Sequence, residues 1–396
     1  MADHPANSGV VVVIGGGFGG LTFALSLIRE RPGIPIILIE PRSRFVFIPL
    51  LYELLSGEMS PWEISPSYKS LVAGKGIVLI EECVEKIDTN KKTVSTSSGQ
   101  IINYAQLVIS TGSKPNYFGI PGLPEFALMF NQIEDIQKLK DLIFRLNKSS
   151  QERHSLVIVG AGSTGVELAC KVSDLLDSHI QVHLIEAGER VLAQGKSFNQ
   201  EQTERALEKR GINLHLQNVV TAVTADSVQI SNVKMKDSDF QPFSISYSGL
   251  IWTAGVNAAL PFGIPAECLF EGRVLIDSAL KIKGLEDAFA LGDIACDKDN
   301  PCMATAQLAM QHGQLAAENI IALREERSLK NFVFRDNGEM LSLGIGDATV
   351  TAWGITLSGS LAFQLRRLVY LSKLPTVSLG IRSAGAWLIP NSKKSF

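Results

Sequence analysis

No run of about 20 apolar residues occurs anywhere in this 396-residue chain, so a transmembrane helix is not expected. Cysteine is sparse. Cys83, Cys170, Cys268, Cys296 and Cys302 are odd in number and form no C-x-x-C pair. A disulfide scaffold or zinc ribbon is therefore not expected, a reducing compartment fits better, and no metal site is expected. The first nine residues lack the basic and apolar regions of a signal peptide. The first apolar run follows at once, so no transit peptide is expected either, which favours a bacterial chain. Charge is also modest: 37 basic and 40 acidic residues leave a net −3, with no footprint for nucleic acid. What the chain does have is 45% hydrophobic residues and enough length for two or three units, each with its own core.

Residues 10–28 read VVVVIGGGFGGLTFALSLI, a β-branched run, a glycine turn and then a helical apolar pattern. Gly15, Gly17 and Gly20 fill the G-x-G-x-x-G template: a tight turn, a close backbone approach to a pyrophosphate, and helix-on-strand packing. The helix N-terminus then offers free N–H groups to phosphate. The next apolar run, IPIILIE, ends in Glu40, 20 residues beyond Gly20, where an acceptor for ribose hydroxyls belongs. The pattern recurs as SLVIVGAGSTGVELA at 155–169, with Gly160, Gly162 and Gly165, and IQVHLIE ends in Glu186, 21 residues further on. One glycine turn could be a plain tight βα connection. Two, each with a spaced acid, predict two dinucleotide-binding folds. LVISTG at 107–112, LIWTAG at 250–255 and FALGD at 289–293 read as strands ending in small residues, where the chain passes close to a cofactor.

These segments resemble the signatures of the two-dinucleotide-binding flavoproteins, in which the first turn holds FAD and the second NAD(P)H. The resemblance implies that Asp293 bonds the ribityl-phosphate region of FAD; it reads equally as a helix N-cap. Thiol–disulfide chemistry lacks an obvious cysteine pair, and Cys170 reads as a small packing residue. RFVFIPLLYELLSGE (44–58), ATAQLAMQHG (304–313) and FVFRDNGEMLSLG (332–344) resemble segments of the type II NAD(P)H:quinone dehydrogenases. The first of these, followed by WEISP, is most similar to the demethylphylloquinone reductase branch of cyanobacteria and plastids. The resemblance implies FAD contacts at Gly15, Gly17, Gly19, Gly20, Glu40, Pro49, Val84, Thr111, Gly112, Asp293 and Ala304. It implies NAD(P)H contacts at Gly160, Gly162, Thr164, Gly165, Glu186, Ala254 and Gly255. Glu167, two residues past Gly165, matches the family's glutamate and is the candidate for a proton or positioning role. Its plain reading is a helix-dipole charge. Gln307 and Gln311, one helical turn apart, are candidates for bonding flavin carbonyls or quinone oxygen, or for lining a polar surface. Met310 stands where some members have histidine, and His312, on another helix face, reads as surface or packing.

From Ala348 to the C-terminus there is no acidic residue, while Arg366, Arg367, Lys373, Arg382, Lys393 and Lys394 are basic. Leu361, Leu365, Leu368 and Val369 form one helical stripe flanked by Arg366 and Arg367. Such a helix can lie in a headgroup layer, with Trp353, Tyr370 and Trp387 at the interface. It can equally cover the flavin domain or make a dimer contact.

The expected fold is α/β, with two Rossmann-like dinucleotide-binding domains plus a C-terminal membrane-associating region. The FAD domain is expected at 1–118 and 257–330, the NAD(P)H domain at 119–256, and a membrane-surface, quinone-access region at 331–396. The expected activity passes hydride from NADH or NADPH to non-covalent FAD and two electrons to a membrane quinone, at the cytoplasmic face of a bacterial thylakoid or plasma membrane. Glu186 favours NADH, the branch favours NADPH, and Arg190 lies four residues on, so the preference stays open, as does homodimer formation. The competing readings are a soluble reductase of a protein electron carrier and a non-catalytic nucleotide sensor.

Overall fold

The structure, a computed structural model, describes residues 9–149, 154–233 and 243–388, with side chains as far as Gly385. The chain divides into two compact units. One comprises Met1–Phe45, Ser65–Lys114 and Val256–Arg335; the other comprises Val46–Ile64, Pro115–Gly255 and Asp336–Phe396. Relative to the expected partition, residues 46–64 and 115–118 cluster with the second unit, residues 256 and 331–335 with the first, and the tail from Asp336 with the second unit.

Parallel strands build the main sheet of each unit: β1 (Val11–Ile14), β2 (Ile36–Ile39), β3 (Ile77–Ile80), β4 (Gln106–Ile109), β5 (His154–Val159), β6 (Ile180–Glu186), β7 (Asn213–Leu216), β8 (Gly249–Trp252) and β9 (Ala288–Ala290). The helices that matter for the sites are α1 (Phe18–Glu30), α2 (Leu51–Leu55), α3 (Ser163–Leu175), α4 (Ala306–Arg324), α5 (Ser360–Lys373) and α6 (Val377–Leu388).

In the first unit the strand order is β9-β4-β1-β2-β3. Central β1 pairs in parallel with β2 from Val11 opposite Ile36 and with β4 from Val11 opposite Gln106. All four β1 residues are buried, as an unbroken β-branched run requires when both sheet faces are covered. Helix α1 turns Leu21, Phe23, Ala24 and Leu27 inward and packs against α4. The two backbones come close because position 313 is glycine: a Cβ there would lie 2.5 Å from the Gly19 carbonyl oxygen.

In the second unit the order is β7-β6-β5-β8. Val157, Val159, Ile185, Leu250 and Trp252 of this sheet pack against Val220, Val223, Val228 and Ile230 of an antiparallel sheet formed by Asn218–Val223, Ser227–Asn232 and Phe243–Ser246. The tail adds three antiparallel strands, β10 (Glu339–Ser342), β11 (Ala348–Ala352) and β12 (Ile355–Gly359), and then α5 and α6. Val350, Ala352, Ala362 and Phe363 form a small core of their own.

Asn199, fully buried in the helix Ser197–Lys209, ties the tail to this unit. Its amide nitrogen donates to Glu339 Oε2 at 2.7 Å, and its oxygen accepts from the hydroxyls of Thr349 at 2.9 Å and Thr351 at 2.8 Å. Asn199→Ala strands these groups. Unfolding in urea is expected to lose about 3 kcal/mol, the usual cost of orphaning buried polar partners. A loss below about 1 kcal/mol would mean that the tail is held by other contacts.

Candidate active site

The first glycine turn closes the carboxyl end of β1. Gly15 has φ +93°, and a Cβ there would sit 2.5 Å from the Ser110 carbonyl oxygen; one at Gly20 would sit 2.0 Å from the Gly15 carbonyl oxygen. At Gly17, by contrast, nothing lies within 4 Å of such a Cβ. The middle glycine borders open space while its neighbours are packed, which is the arrangement a pyrophosphate needs. Helix α1 begins there with no side-chain cap and no acid in its first turn, so its amino-terminal N–H groups stay available to an anion. Elsewhere α4 is capped by Thr305, and the helix Ile133–Lys148 carries a capping box from Gln132 and Asp135.

Glu40 follows β2 and faces the turn. Its carboxylate accepts the Gly16 N–H at 2.7 Å, and Arg42 grips it through Nε at 2.7 Å and Nη2 at 2.9 Å. Burial alone would raise its pKa, but the Arg42 hydrogen bonds and charge hold it below the ordinary value. Glu40 thus braces the turn and remains an anionic acceptor for ribose hydroxyls. The Thr111 hydroxyl oxygen, just past β4, is buried without a hydrogen-bond partner among the described residues. Asp293, in a short 3₁₀ turn after β9, accepts from the Ser113 hydroxyl at 2.7 Å. An open glycine, an orphaned hydroxyl and an ionised acid fit FAD in this unit.

The second unit repeats the design. Gly160 has φ +100°, a Cβ at Gly165 would meet the Gly160 carbonyl oxygen at 1.7 Å, and Gly162 again borders open space. Helix α3 starts uncapped, with no acid in its first turn. Glu186 accepts the N–H of Ala161 at 2.6 Å and of Gly188 at 2.7 Å, while Arg190 pairs at 3.7 Å with Glu204. A pair of residues absent from the sequence-based candidates latches both turns. Ser110 donates its hydroxyl to the Gly15 carbonyl at 2.8 Å, and Thr253 donates to that of Gly160 at 3.1 Å. A hydroxyl residue within three positions of the strand end, present in both LVISTG and LIWTAG, was the available signal.

Glu167, on α3, is buried at the meeting of three segments of the second unit. It accepts the Ser342 N–H at 2.7 Å and Arg366 Nη2 at 3.1 Å, and the Tyr52 hydroxyl hydrogen-bonds to it. Arg366 is itself fully buried, ion-paired through Nη1 with Glu53 and donating to the Pro49 carbonyl at 2.8 Å. Burial pushes the Glu167 carboxyl up to about 7; Arg366 and the Ser342 N–H pull it back, and the nearby Glu53 charge adds to the rise.

Several sequence expectations need correction. Arg366 does not flank a lipid-facing stripe. It is the buried partner of two carboxylates, because the inner face of α5 is Ala362, Phe363 and Arg366. Tyr370 leans on Phe47 and on the Arg366 guanidinium, away from any interface role. Gln311 does not offer a free amide: it donates to the Arg335 carbonyl at 2.8 Å and accepts the Arg335 N–H at 3.0 Å, clamping the chain after α4. Pro49 clusters with the second unit. Val84 lies on a separate antiparallel sheet of the first unit, Ala304 precedes α4, and Gln307 shares α4 with Gln311. His312 is a packing residue, edge-on to Phe332, accepting the Gly292 N–H and held neutral with a pKa of about 4 by burial. The Cys170 thiol is buried and pushed up to about 12, so it stays protonated. Trp387 and the basic residues Lys393 and Lys394 lie outside the described side chains.

Comparison with known proteins agrees with this geometry. Residues 9–313 match the family model described as pyridine nucleotide-disulphide oxidoreductase. The chain is 34% identical to the demethylphylloquinone reductase of Synechocystis sp., across 96% of this chain and 97% of that protein. It is 30% identical to an alternative NAD(P)H-ubiquinone oxidoreductase of Arabidopsis thaliana, over 97% of this chain and 81% of the relative. The chain belongs to the pyridine nucleotide-disulphide oxidoreductase family, among the type II NAD(P)H:quinone oxidoreductases. As such an oxidoreductase it is an FAD flavoprotein that uses NAD(P)H. The type II enzyme of Plasmodium falciparum in complex with NADH superposes with a TM-score of 0.86 at 18% identity, covering 96% of this chain and 98% of that one; this likeness shows the fold.

Glu167 also makes stability depend on pH. Its folded pKa is raised, so its contribution is present below the ordinary value of 4.5 and is lost as pH rises through about 7. Glu167→Gln removes this component. Relative to the parent, the variant should gain on the order of 3 kcal/mol of unfolding free energy between about pH 4.5 and pH 8. Urea titrations of both proteins across that window check it; a constant difference would mean that Glu167 is ionised throughout.

Proposed function

We propose that this type II oxidoreductase reduces demethylphylloquinone, or a related naphthoquinone or plastoquinone, at a lipid surface, with the tail as its docking element and Glu167 as its proton relay. The overall balance is NAD(P)H + H⁺ + quinone → NAD(P)⁺ + quinol. When bound, FAD takes the hydride and passes the electron pair to the quinone. The protein's part is placement and protons. Gly17 and the amino end of α1 receive the FAD pyrophosphate, and Glu40 takes the ribose; Gly162, the amino end of α3 and Glu186 do the same for NAD(P)H. Glu167, titrating near neutrality, passes the consumed proton inward from solvent.

The observation that carries the membrane part is the outward apolar face of the tail. Leu361 is 74% exposed, Leu368 60%, Val377 81% and Ile381 68%, and Trp353 is exposed as well. No described helix is long and apolar enough to cross a membrane. Large apolar side chains left in water along the acid-free stretch from Ala348 suit insertion into a headgroup layer, where burial returns about 25 cal/mol per Å². The quinone identity is supported by the 34% identical Synechocystis relative. Its place is then peripheral, on the cytoplasmic face of a thylakoid or plasma membrane.

Leu361→Glu combined with Leu368→Glu tests this reading. These side chains are outward, so FAD content and turnover with a water-soluble quinone should stay within about twofold of the parent, while co-sedimentation with anionic vesicles and reduction of quinone embedded in them should fall about tenfold or more. Unchanged vesicle binding and embedded-quinone turnover would remove the tail from the interface.

A further inference from the structure

The strand order β7-β6-β5-β8 places a crevice outside the carboxyl ends of β5 and β8, where the order of connection reverses. Glu186 ends β6, on one side of the glycine turn. On the other side the packing runs outward residue by residue. A Cβ at Gly160 would lie 3.0 Å from Ala254 Cα; Gly255 comes next in the chain, and a Cβ there would lie 2.5 Å from Cζ of Phe118. The Phe118 ring therefore borders the turn on the side opposite Glu186.

Phe118 is costly to the fold as it stands. Its φ is +49°, a left-handed conformation that bulky side chains avoid. The residue is 62% exposed, so little apolar burial offsets that strain. Yet the conformation is held from several directions. Asn116 Oδ1 accepts the Phe118 N–H at 2.9 Å, the Asn116 N–H donates to the Gly255 carbonyl at 3.2 Å, and Trp252 Nε1 donates to the Asn116 carbonyl at 2.9 Å. The Trp252 ring supports Phe118 edge-on, with centroids 6.3 Å apart. Local strain maintained by surrounding structure at an exposed aromatic residue beside a binding crevice points to a ligand.

We propose that Phe118 is a binding residue for the nicotinamide half of the dinucleotide. This rests on the second glycine turn being the NAD(P)H site. With the adenosine ribose at Glu186 and the pyrophosphate at Gly162, the remaining half extends past β8 towards Phe118. The flat nicotinamide and its ribose pack against the ring, an offset-stacking contact. A 2′-phosphate would lie at the Glu186 end, so the contact serves NADH and NADPH alike.

The test uses the FAD-loaded enzyme and anaerobic stopped-flow reduction, with ADP-ribose as a competitor that lacks nicotinamide. Phe118→Asn tolerates the left-handed backbone, and Phe118→Tyr keeps the ring. Phe118→Asn should weaken NADH and NADPH equally, by about fivefold to tenfold, while ADP-ribose inhibition stays within about twofold and the melting temperature holds or rises. Phe118→Tyr should behave as the parent. If Phe118→Asn does not yield FAD-loaded protein, Phe118→Leu, which keeps apolar bulk, carries the same expectation. Unchanged NADH and NADPH affinity, or an equal loss for ADP-ribose, overturns the proposal. If ADP-ribose fails to compete even in the parent enzyme, the placement of NAD(P)H on the second turn falls first, and the Phe118 assignment with it.

Discussion

One buried guanidinium organises the second unit. Arg366, on α5, reaches Glu53 on α2, 313 residues earlier, and Glu167 on α3, 199 residues earlier, while donating to the Pro49 carbonyl. Taking a cation out of water costs several kcal/mol, and only close partners with good geometry offset it. Segments distant in sequence are therefore obliged to meet at one point. Arg366 supplies one positive charge beside two buried carboxylates. Burial is the main reason Glu167 holds its proton to higher pH, and the nearby Glu53 charge adds to the rise. The arrangement that anchors the tail thus also leaves a titratable carboxyl near neutrality beside the amino-terminal turns of α3, in the unit that carries the NAD(P)H fold.

The two dinucleotide-binding turns show the same economy in duplicate. In each, a Cβ on the first glycine would press on backbone that follows the neighbouring strand, one on the third would strike the first glycine's carbonyl, and the middle glycine faces open space. Each following helix starts without a side-chain cap or an acid in its first turn, which leaves its N–H groups available to an anion. The acid at the end of the second strand is engaged by turn N–H groups, Glu40 with Gly16 and Glu186 with Ala161. In both units the carboxylate braces the turn through these bonds. Ser110 and Thr253 latch the turns from the neighbouring strand.

The boundary between what was legible and what was not follows interaction range. Strand–turn–helix units were readable because their determinants lie within about 30 residues: an apolar run, glycines at fixed offsets and an acid at the end of the next strand. The leucine stripe on α5 was readable as a stripe, since Leu361 and Leu368 do lie together on the outward face. Its meaning was not. A basic residue beside an apolar stripe looks the same in sequence whether it meets lipid or a carboxylate 313 residues away, and Arg366 meets Glu53. Gln311 looked like a free amide because its partner is the backbone of Arg335, and backbone carries no sequence signal.

By itself the sequence determined the two nucleotide folds, their glycines and their acids, because local sterics and short-range hydrogen bonding leave those residues no alternative. Tertiary structure alone decided which charges are buried and with whom. It placed 46–64 and the tail with the second unit, joined Arg366 to Glu53 and Glu167, and set Phe118 beside Gly255. Desolvation and ion pairing depend on every segment that packs around a group, so no window of the chain contains them.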